Sequence, residues 1–498
     1  MSQSILKTDS LMSEGRLQKA LGQTAIYAIG IGASKGTALL LVPFYTRQLP
    51  ATAIALWDLS TTTVLFLVAI VELSMASAMA RFYIQADDDT ERRAVSGSAI
   101  TVVLVMATLA IAGALTFRAR GAEIIFGDVS QSELFTLCGV ITALTVLSNQ
   151  PLAQLRARDR SVAFSLLNLI RAIVGPACTI YLVLIQDWGV KGILVGDAVG
   201  LAFMTVGGLA MVGRNAVPSF DVRIVRRLVA FGAPLIVASL SVAIVLVSDR
   251  YFLRAHIGLA DLAVYTIGFK VAMLMSLSTQ ALQLAWAPSA YRIAKDKDAF
   301  DILARAFRII LVGNCLMALT LTAMAPELTT IFGPGDAYVG AERIAPIIIF
   351  SYALQSTFLV MATNLTVLNR TLLVMFQFGV GATAKLMLNL VLIPQWGIVG
   401  AAFATLFAFT LQLMVCYSMT RFVQPIPYEI ARITRLLLMV TATAFAMIWS
   451  YDFSWPQGLS IRILALLLFL GGIVGARIIP IAEWSAAWRA VRGPSQAS

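Results

Sequence analysis

Ionisable side chains inside long apolar segments are the residues of this sequence best placed to do chemistry. The basic ones are Lys35, Arg81, Arg171, Arg250, Lys270 and Lys385, and the clearest acidic ones are Glu72, Asp197 and Asp249. An ionisable group in hydrocarbon is costly, so it normally pairs with another group or faces a water-filled cavity. Because ammonium and guanidinium groups bind phosphate, the basic excess favours an anionic ligand.

Lys35 is the strongest candidate among the basic residues. It lies mid-segment among small residues, in GIGASKG at 30–36. Small neighbours leave room for a ligand, but they also allow close helix packing, and an ion pair between Lys35 and Glu72 is the structural alternative. Arg171 and Lys385 are further candidates for an anion site, and Lys270 could line the same cavity.

The remaining charged positions have both functional and structural interpretations. Arg250 follows Asp249, and since adjacent helical residues do not face each other, we expect each to have a separate partner in a gate or a structural pair. Arg81 is interpreted as an interfacial side chain that reaches toward water. Glu72 and Asp197 could bind H+ or Na+, or could pair with a nearby cation.

The composition predicts a membrane protein. Of the 498 residues, 59% are hydrophobic and 13% are charged, whereas soluble proteins carry about 25% charged residues. Apolar runs of helical length recur along the chain, and a spanning helix needs about 20 such residues. The fold class is therefore an all-α polytopic membrane protein. The hydropathy pattern predicts fourteen spans, at 21–46, 53–83, 95–117, 134–155, 161–185, 191–213, 228–253, 262–290, 303–332, 342–368, 371–393, 397–420, 431–450 and 459–480.

The distribution of Lys and Arg predicts the orientation, because short cytoplasmic loops are enriched in these residues. With the N-terminus inside, 24 of them fall on the cytoplasmic side and 7 on the other. Both termini are then cytoplasmic, and the net charge of +11 needs no nucleic-acid partner.

A repeat of 208 residues predicts two parallel six-helix bundles. Trp188-Gly189 follows the fifth span and Trp396-Gly397 follows the eleventh. Parallel repeats of this kind usually enclose a central site and rock to open it alternately. The predicted domains are a cytoplasmic N-terminal segment (1–20), two bundles (21–213 and 228–420) joined by a cytoplasmic linker (214–227), two additional helices (431–480) and a cytoplasmic tail (481–498).

Several short motifs, in order, resemble one transporter family. They are LVPFYTR at 41–47, ARFY at 80–83, DRYFL at 249–253, VYTIG at 264–268 and AWAP at 285–288. Together they resemble the polysaccharide-transport family of Wzx-type flippases, in the multidrug/oligosaccharidyl-lipid/polysaccharide exporter superfamily. The resemblance covers roughly residues 20–480.

This resemblance implies a flippase of the bacterial inner membrane. The cargo would be an undecaprenyl-pyrophosphate-linked oligosaccharide, moved from the cytoplasmic to the periplasmic leaflet for O-antigen or exopolysaccharide assembly. Its pyrophosphate would dock on Lys35, Arg171, Lys270 and Lys385, and Arg250 is a further candidate for substrate binding. Sugar contacts would come from polar and aromatic residues that could equally serve helix packing, namely Gln280, Gln283, Trp286, Asn364 and Asn389. Membrane lipids, a polysaccharide polymerase and glycosyltransferases would be partners.

Two other transporter functions stay open at this point. A multidrug cation antiporter would share the fold, but it would need acidic rather than basic cavity residues, and a peptidoglycan-precursor flippase is a related alternative. An enzyme is not expected, since the single histidine, His256, has no metal-binding neighbours and no nucleotide-binding motif is present. We expect no catalytic residue, metal or cofactor, and coupling to H+ or Na+ is left open.

Overall fold

The computed structural model describes residues 26, 30, 32–213, 217–294, 298–367, 370–423, 426–476 and 478. Every regular element among them is helical. After helical residues 32–40, the α-helices are α1 (Val42–Gln48), α2 (Ala51–Val71), α3 (Met75–Gln85), α4 (Asp89–Thr116), α5 (Arg118–Phe126), α6 (Ser132–Ala157), α7 (Ser161–Leu184), α8 (Gly189–Val212), α9 (Val222–His256), α10 (Leu259–Ile293), α11 (Ala299–Ala323), α12 (Ala325–Phe332), α13 (Ala341–Val367), α14 (Thr371–Val423), α15 (Ile430–Trp449) and α16 (Trp455–Gly475).

Twelve of these helical segments, counted over the described residues, are long and apolar enough to cross a membrane. One of them, Leu372–Val423, holds two of the predicted spans. The predicted span 21–46 lies partly outside the described residues. The other predicted spans each find a helix, so the all-helical multi-pass fold is confirmed.

Two predicted spans are broken by short interruptions. In the span 53–83, α2 ends at Val71, and Leu73 and Ser74 adopt left-handed φ values of 50° and 53° before α3 begins. Left-handed backbone is costly for residues other than glycine, and no Gly or Pro marks this break. In the span 303–332, α11 ends at Ala323 and α12 begins with Pro326 in its first turn, the position where proline is tolerated.

Contacts divide the chain into two compact units, Met1–Ala263 and Val264–Ser498. In the first unit, Val71, Met75, Met79 and Val146 form an apolar core with Leu228 of α9. Helix α9, the first helix of the predicted second bundle, thus packs with helices of the first repeat. The predicted domain boundaries stay a prediction.

The second unit has its own apolar core, which includes the last two helices. Trp286, Phe307 and Phe358 pack there with Met447 of α15 and Phe469 of α16. The bidentate pair between Arg462 of α16 and Glu327 of α12 fixes α16 to the helices of this unit, with N–O distances of 2.7 and 2.8 Å.

The repeat is visible in the backbone as well as in the sequence. Gly189 begins α8 with φ of 51°, and Gly397 bends α14 with φ of 55°, 208 residues later. Short helices α5 and α12 each follow a long helix, and each ends at a glycine, Gly127 or Gly333. Two segments of the chain therefore share an order of elements, and Gly189 and Gly397 share a left-handed backbone.

Candidate functional site

A buried ionic cluster joins α2 and α9. The Arg250 guanidinium donates from Nε to Asp58 Oδ2 at 3.2 Å and from Nη1 to Asp249 Oδ1 at 2.6 Å. Nη1 also donates to the Leu246 carbonyl at 2.9 Å. All three charged side chains are at most 2% exposed. Such a cluster holds the two helices together, because removing one member would leave an uncompensated buried charge.

This cluster corrects the expectation that Asp249 and Arg250 have separate partners. The arginine side chain is long enough to fold back along its own helix, reaching both the Leu246 carbonyl and the neighbouring carboxylate. The sequence analysis also missed Asp58. It could have been found by the rule applied to the other acids, since it is a carboxylate within the predicted span 53–83.

Close packing of α7 against α8 positions a second pair, Arg171 and Asp197. A Cβ atom at Gly200 would lie 3.0 Å from the Cα of Gly175, so these two glycines allow the helix backbones to approach closely. Arg171 Nη2 donates to Asp197 Oδ1 at 3.0 Å, with the two side chains 32% and 41% exposed. The structure thus pairs Arg171, a predicted anion-binding residue, with Asp197, a predicted ion-coupling acid. Both side chains of this pair remain partly exposed.

Lys35 lies on the helical segment 32–40 and is exposed. A lysine in the middle of a predicted span needs water or a polar partner near its ammonium group. Lys270, on α10 in the other unit, is half-buried. Their roles in binding an anion stay predictions.

Lys385 lies fully inside the second unit. Its ammonium group donates to the Thr405 hydroxyl and, at 3.4 Å, to the Ala401 carbonyl. Both partners belong to the second half of α14, so Lys385 fastens the two halves of that bent helix. No ligand can reach it in this conformation, and its role in cargo binding stays a prediction.

Glu72 ends α2 at the break before α3. Its carboxylate accepts a hydrogen bond from the side chain of Asn149 on α6, and Arg156 contributes a favourable charge interaction. These neighbours agree with the charge-pair alternative for Glu72. Coupling to H+ or Na+ stays a prediction.

The predicted sugar contacts divide into buried and partly exposed residues. Trp286, Asn364 and Asn389 are buried, and Trp286 Nε1 donates to the Val360 carbonyl at 3.4 Å. Their burial agrees with the helix-packing alternative, and their role as sugar contacts stays a prediction. Gln280 and Gln283 are partly exposed, and Gln280 donates to the Ser276 carbonyl on its own helix.

Two arginines assigned to loops from the sequence are buried inside helical structure. Arg308 on α11 is 4% exposed and pairs with Glu429, while Arg462 on α16 is 3% exposed and pairs with Glu327. The orientation count placed both with the charges that flank a span, because each lies within a few residues of the end of its predicted span, 303–332 or 459–480. The structure instead uses them to fasten α15 and α16 to the second unit.

The comparisons with known proteins agree with a transporter fold. Residues 60–341 match the family model described as "Polysaccharide biosynthesis protein". A structure of the lipid II flippase MurJ in an inward closed conformation superposes with a TM-score of 0.71 at 13% identity, covering 91% of this chain and 100% of that one. A comparison with curated protein sequences gave no match.

Other solved structures share the same fold. An inward-facing multidrug resistance MATE family transporter of the MOP superfamily gives a TM-score of 0.61 at 12% identity, covering 80% of this chain and 94% of that one. A MOP superfamily transporter from Pyrococcus furiosus, described as having a binding pocket of reverse polarity, gives 0.57 at 13% identity, covering 80% and 95%.

The fold and the family match together define the class of this protein. It is a multi-pass membrane protein with the fold seen in the lipid II flippase and in MATE family transporters. The chain belongs to the polysaccharide biosynthesis protein family, whose model matches more than half of its length.

Proposed function

We propose that this transporter is a flippase for a lipid-linked oligosaccharide. The cargo is an undecaprenyl-pyrophosphate-linked glycan that crosses from the cytoplasmic to the periplasmic leaflet of a bacterial inner membrane. The observation that carries the proposal is the family match, since it connects a chain with a transporter fold to polysaccharide biosynthesis. A lipid-linked glycan is the form in which a membrane transporter would serve that process.

The exposed cation on the first helical segment supports an anionic cargo. Lys35 presents an ammonium group within a predicted span, and a cation in a low-dielectric cavity attracts phosphate far more strongly than in water. The same feature disfavours an organic-cation antiporter, because such cargo would be repelled. Arg171 supports the same role only when it is released from Asp197, which lies 3.0 Å away.

A peptidoglycan-precursor flippase is the second candidate function. The observation that favours it is the likeness to the lipid II flippase over 91% of this chain. Both candidate functions transport a glycan that is linked to a lipid diphosphate. The same basic residues would therefore bind the cargo in either case. They differ in which glycan accumulates when the protein is lost.

A deletion strain tests the proposal and separates the alternatives. We expect loss of surface polysaccharide, accumulation of its lipid-linked precursor on the cytoplasmic face, and recovery with the plasmid-borne gene. Arrested peptidoglycan synthesis and lysis would favour the second candidate. Intact polysaccharide together with increased sensitivity to cationic dyes would contradict both flippase functions and favour the antiporter.

A further inference from the structure

An arginine–aromatic cluster lies where three helices of the first unit end or begin, at the face predicted to be cytoplasmic. It comprises Arg81, Phe82 and Tyr83 at the end of α3, Arg158 at the end of α6, and Arg227 and Phe231 in the first turns of α9. Phe82 and Phe231 meet edge to face, with their ring centroids 5.9 Å apart. This aromatic pair is the centre around which the guanidinium groups are arranged.

Each guanidinium of the cluster contacts an aromatic side chain, two of them a ring face and the third a tyrosine hydroxyl. The Arg81 guanidinium carbon is 4.5 Å from the centroid of Phe231, and that of Arg227 is 4.9 Å from the centroid of Phe82. The Arg158 guanidinium carbon is 5.5 Å from the centroid of Tyr83, and its Nε donates to the Tyr83 hydroxyl at 2.7 Å. A guanidinium stacked on a ring is held in place while the N–H groups in its plane remain able to bind another partner.

The cluster carries more positive charge than its neighbouring acids neutralise. Glu91 is 3.6 Å from Arg227, but within the described part of the chain no ion pair joins Arg81 or Arg158 to a carboxylate. Arg81 is exposed, and the Arg227 side chain is 55% exposed. Arg81 and Arg158 therefore keep guanidinium N–H donors that no carboxylate takes in the described part of the chain.

We propose that this arginine–aromatic cluster binds the diphosphate of the membrane-anchored cargo before it is transported. A guanidinium group can donate two parallel hydrogen bonds to the oxygens of one phosphate. Three guanidinium groups near the ends of three helices therefore suit a ligand with several negative charges. The surface lies at the leaflet from which the cargo is loaded under the proposed function, on which this inference rests. It is separate from Lys35 and from the buried Arg250 cluster.

Asp221 fixes the helix start that presents two members of the cluster. Its carboxylate accepts hydrogen bonds from the backbone N–H groups of Arg223 and Ile224, at 2.8 and 3.4 Å. This N-cap positions the first turns of α9. Arg223 lies one turn before Arg227 with its side chain 93% exposed, 3.8 Å from Asp221. Arg223 carries the same charge as Arg227 and lies on the same helix, but it is outside the cluster. It is therefore a matched control.

Binding of diphosphate probes to the full-length protein in detergent tests the inference. The probes are farnesyl diphosphate and inorganic diphosphate, measured by calorimetry, with phosphatidylglycerol as competitor. Arg81→Gln and Arg227→Gln should each weaken binding of farnesyl diphosphate about tenfold, since each removes one charge-assisted fork. Arg223→Gln should change it less than about twofold, because an exposed charge outside the cluster contributes little. Arg81→Lys, which keeps the charge and loses the fork, should fall between wild type and Arg81→Gln.

Four results would overturn the inference. They are no binding to the wild type, an equal loss with Arg223→Gln, no loss with either cluster variant, or displacement of the probe by phosphatidylglycerol at equal concentration. The last would assign the cluster to ordinary anionic lipid. If the wild-type gene restores polysaccharide export in the deletion strain but the protein gives any of these four results, only this inference fails. The proposed function would then still stand, so failure of the inference and failure of the function are distinguishable.

Discussion

At the scale of single residues, the charges within the helices fall into two groups. Arg250, Lys385, Arg308 and Arg462 are buried and held by polar partners, whereas Lys35 is exposed and Arg171 is accessible. Buried pairs fix helices to one another, whereas Lys35 and the Arg171–Asp197 pair are open to the surroundings of the protein. The second group is therefore where an anionic cargo is expected to bind.

Replacing Asp58 with Asn tests the buried cluster. Arg250 would lose one charged partner in a site where all members are at most 2% exposed, and breaking a buried pair costs about 3–5 kcal/mol. We expect a large fall in thermal stability in detergent and lower abundance in the membrane. Asp89→Asn is the control, because its pair with Arg92 is exposed and should contribute about 0–1 kcal/mol. Equal effects of the two substitutions would contradict the structural role of the cluster.

The pair between Glu327 and Arg462 predicts a pH dependence of stability. Helix α12 lies outside the candidate spans. Burial alone would raise the pKa of Glu327, but the hydrogen bonds and charge of Arg462, together with hydrogen bonds from the Glu327 backbone and Trp455, hold the pKa below its ordinary value of 4.5. A lowered folded-state pKa stabilises the protein above the ordinary value, and this contribution is lost as the pH falls through the folded-state value.

Glu327→Gln should therefore lower the melting temperature at pH 7, and the difference from wild type should shrink below about pH 4.5. Differential scanning fluorimetry across this range measures it. Glu342→Gln, which alters another acid of the same unit but not the bidentate pair, is the control. A difference between wild type and Glu327→Gln that stays constant down to about pH 3 would contradict the assignment.

Sequence alone could identify which residues are ionisable within a span, but not which of them are buried. Lys35 and Lys385 look alike in hydropathy, yet one is exposed and the other is 0% exposed. The difference depends on the rotation of each helix about its axis, which is set by packing against other helices. Asp58 could be recognised from the sequence as an acid within a span, but its pairing with Arg250 could not, because the two residues are 192 positions apart.

At the scale of elements, glycine and proline set the turns that repeat along the chain. Gly189 and Gly397 both adopt positive φ at the junction between consecutive spans. Because each follows a tryptophan at the same offset, the sequence predicted this correspondence. The break after Glu72 was not predicted, since neither Leu73 nor Ser74 is a glycine or proline, yet both adopt left-handed backbone.

Alanine substitution at two glycines should have opposite effects. Gly189 has φ of 51°, and a Cβ added there would meet only Leu49 Cδ2, at 4.0 Å, so Gly189→Ala tests backbone conformation alone. We expect a loss of about 1 kcal/mol. Gly113 lies in α4, and a Cβ added there would have nothing within 4 Å, so Gly113→Ala should gain about 0.5–1 kcal/mol. Thermal unfolding measures both, and a gain at Gly189 would contradict the turn assignment.

At the scale of the whole molecule, the composition predicts a multi-pass helical protein, and the described residues form twelve helical segments long and apolar enough to cross a membrane. The class of fold followed from hydropathy, because each span needs its own apolar stretch. Which helices pack together did not follow. Helix α9 belongs to the second repeat in sequence, yet it packs with α2 and α3 in the first unit.

Reporter fusions test the predicted orientation. Fusions after Arg120 and Gly258 should report a periplasmic position, and fusions after Arg158 and Lys297 a cytoplasmic one, as the Lys and Arg bias requires. Alkaline phosphatase and green fluorescent protein activities provide complementary readouts. Reversal at any two of the four sites would contradict the topology and the placement of the arginine–aromatic cluster at the loading face.

The most direct test of the proposed function is translocation of cargo in reconstituted liposomes. An undecaprenyl-pyrophosphate-linked oligosaccharide labelled on its glycan is placed in both leaflets, and the fraction accessible to a membrane-impermeant enzyme is followed with time. The wild type should make the protected half accessible, and Lys35→Ala, reconstituted in equal amount, should slow this at least about tenfold, as expected for the loss of one charge-assisted phosphate contact. Failure of the wild type to move this lipid, with transport of an organic cation under an imposed ion gradient, would contradict the account.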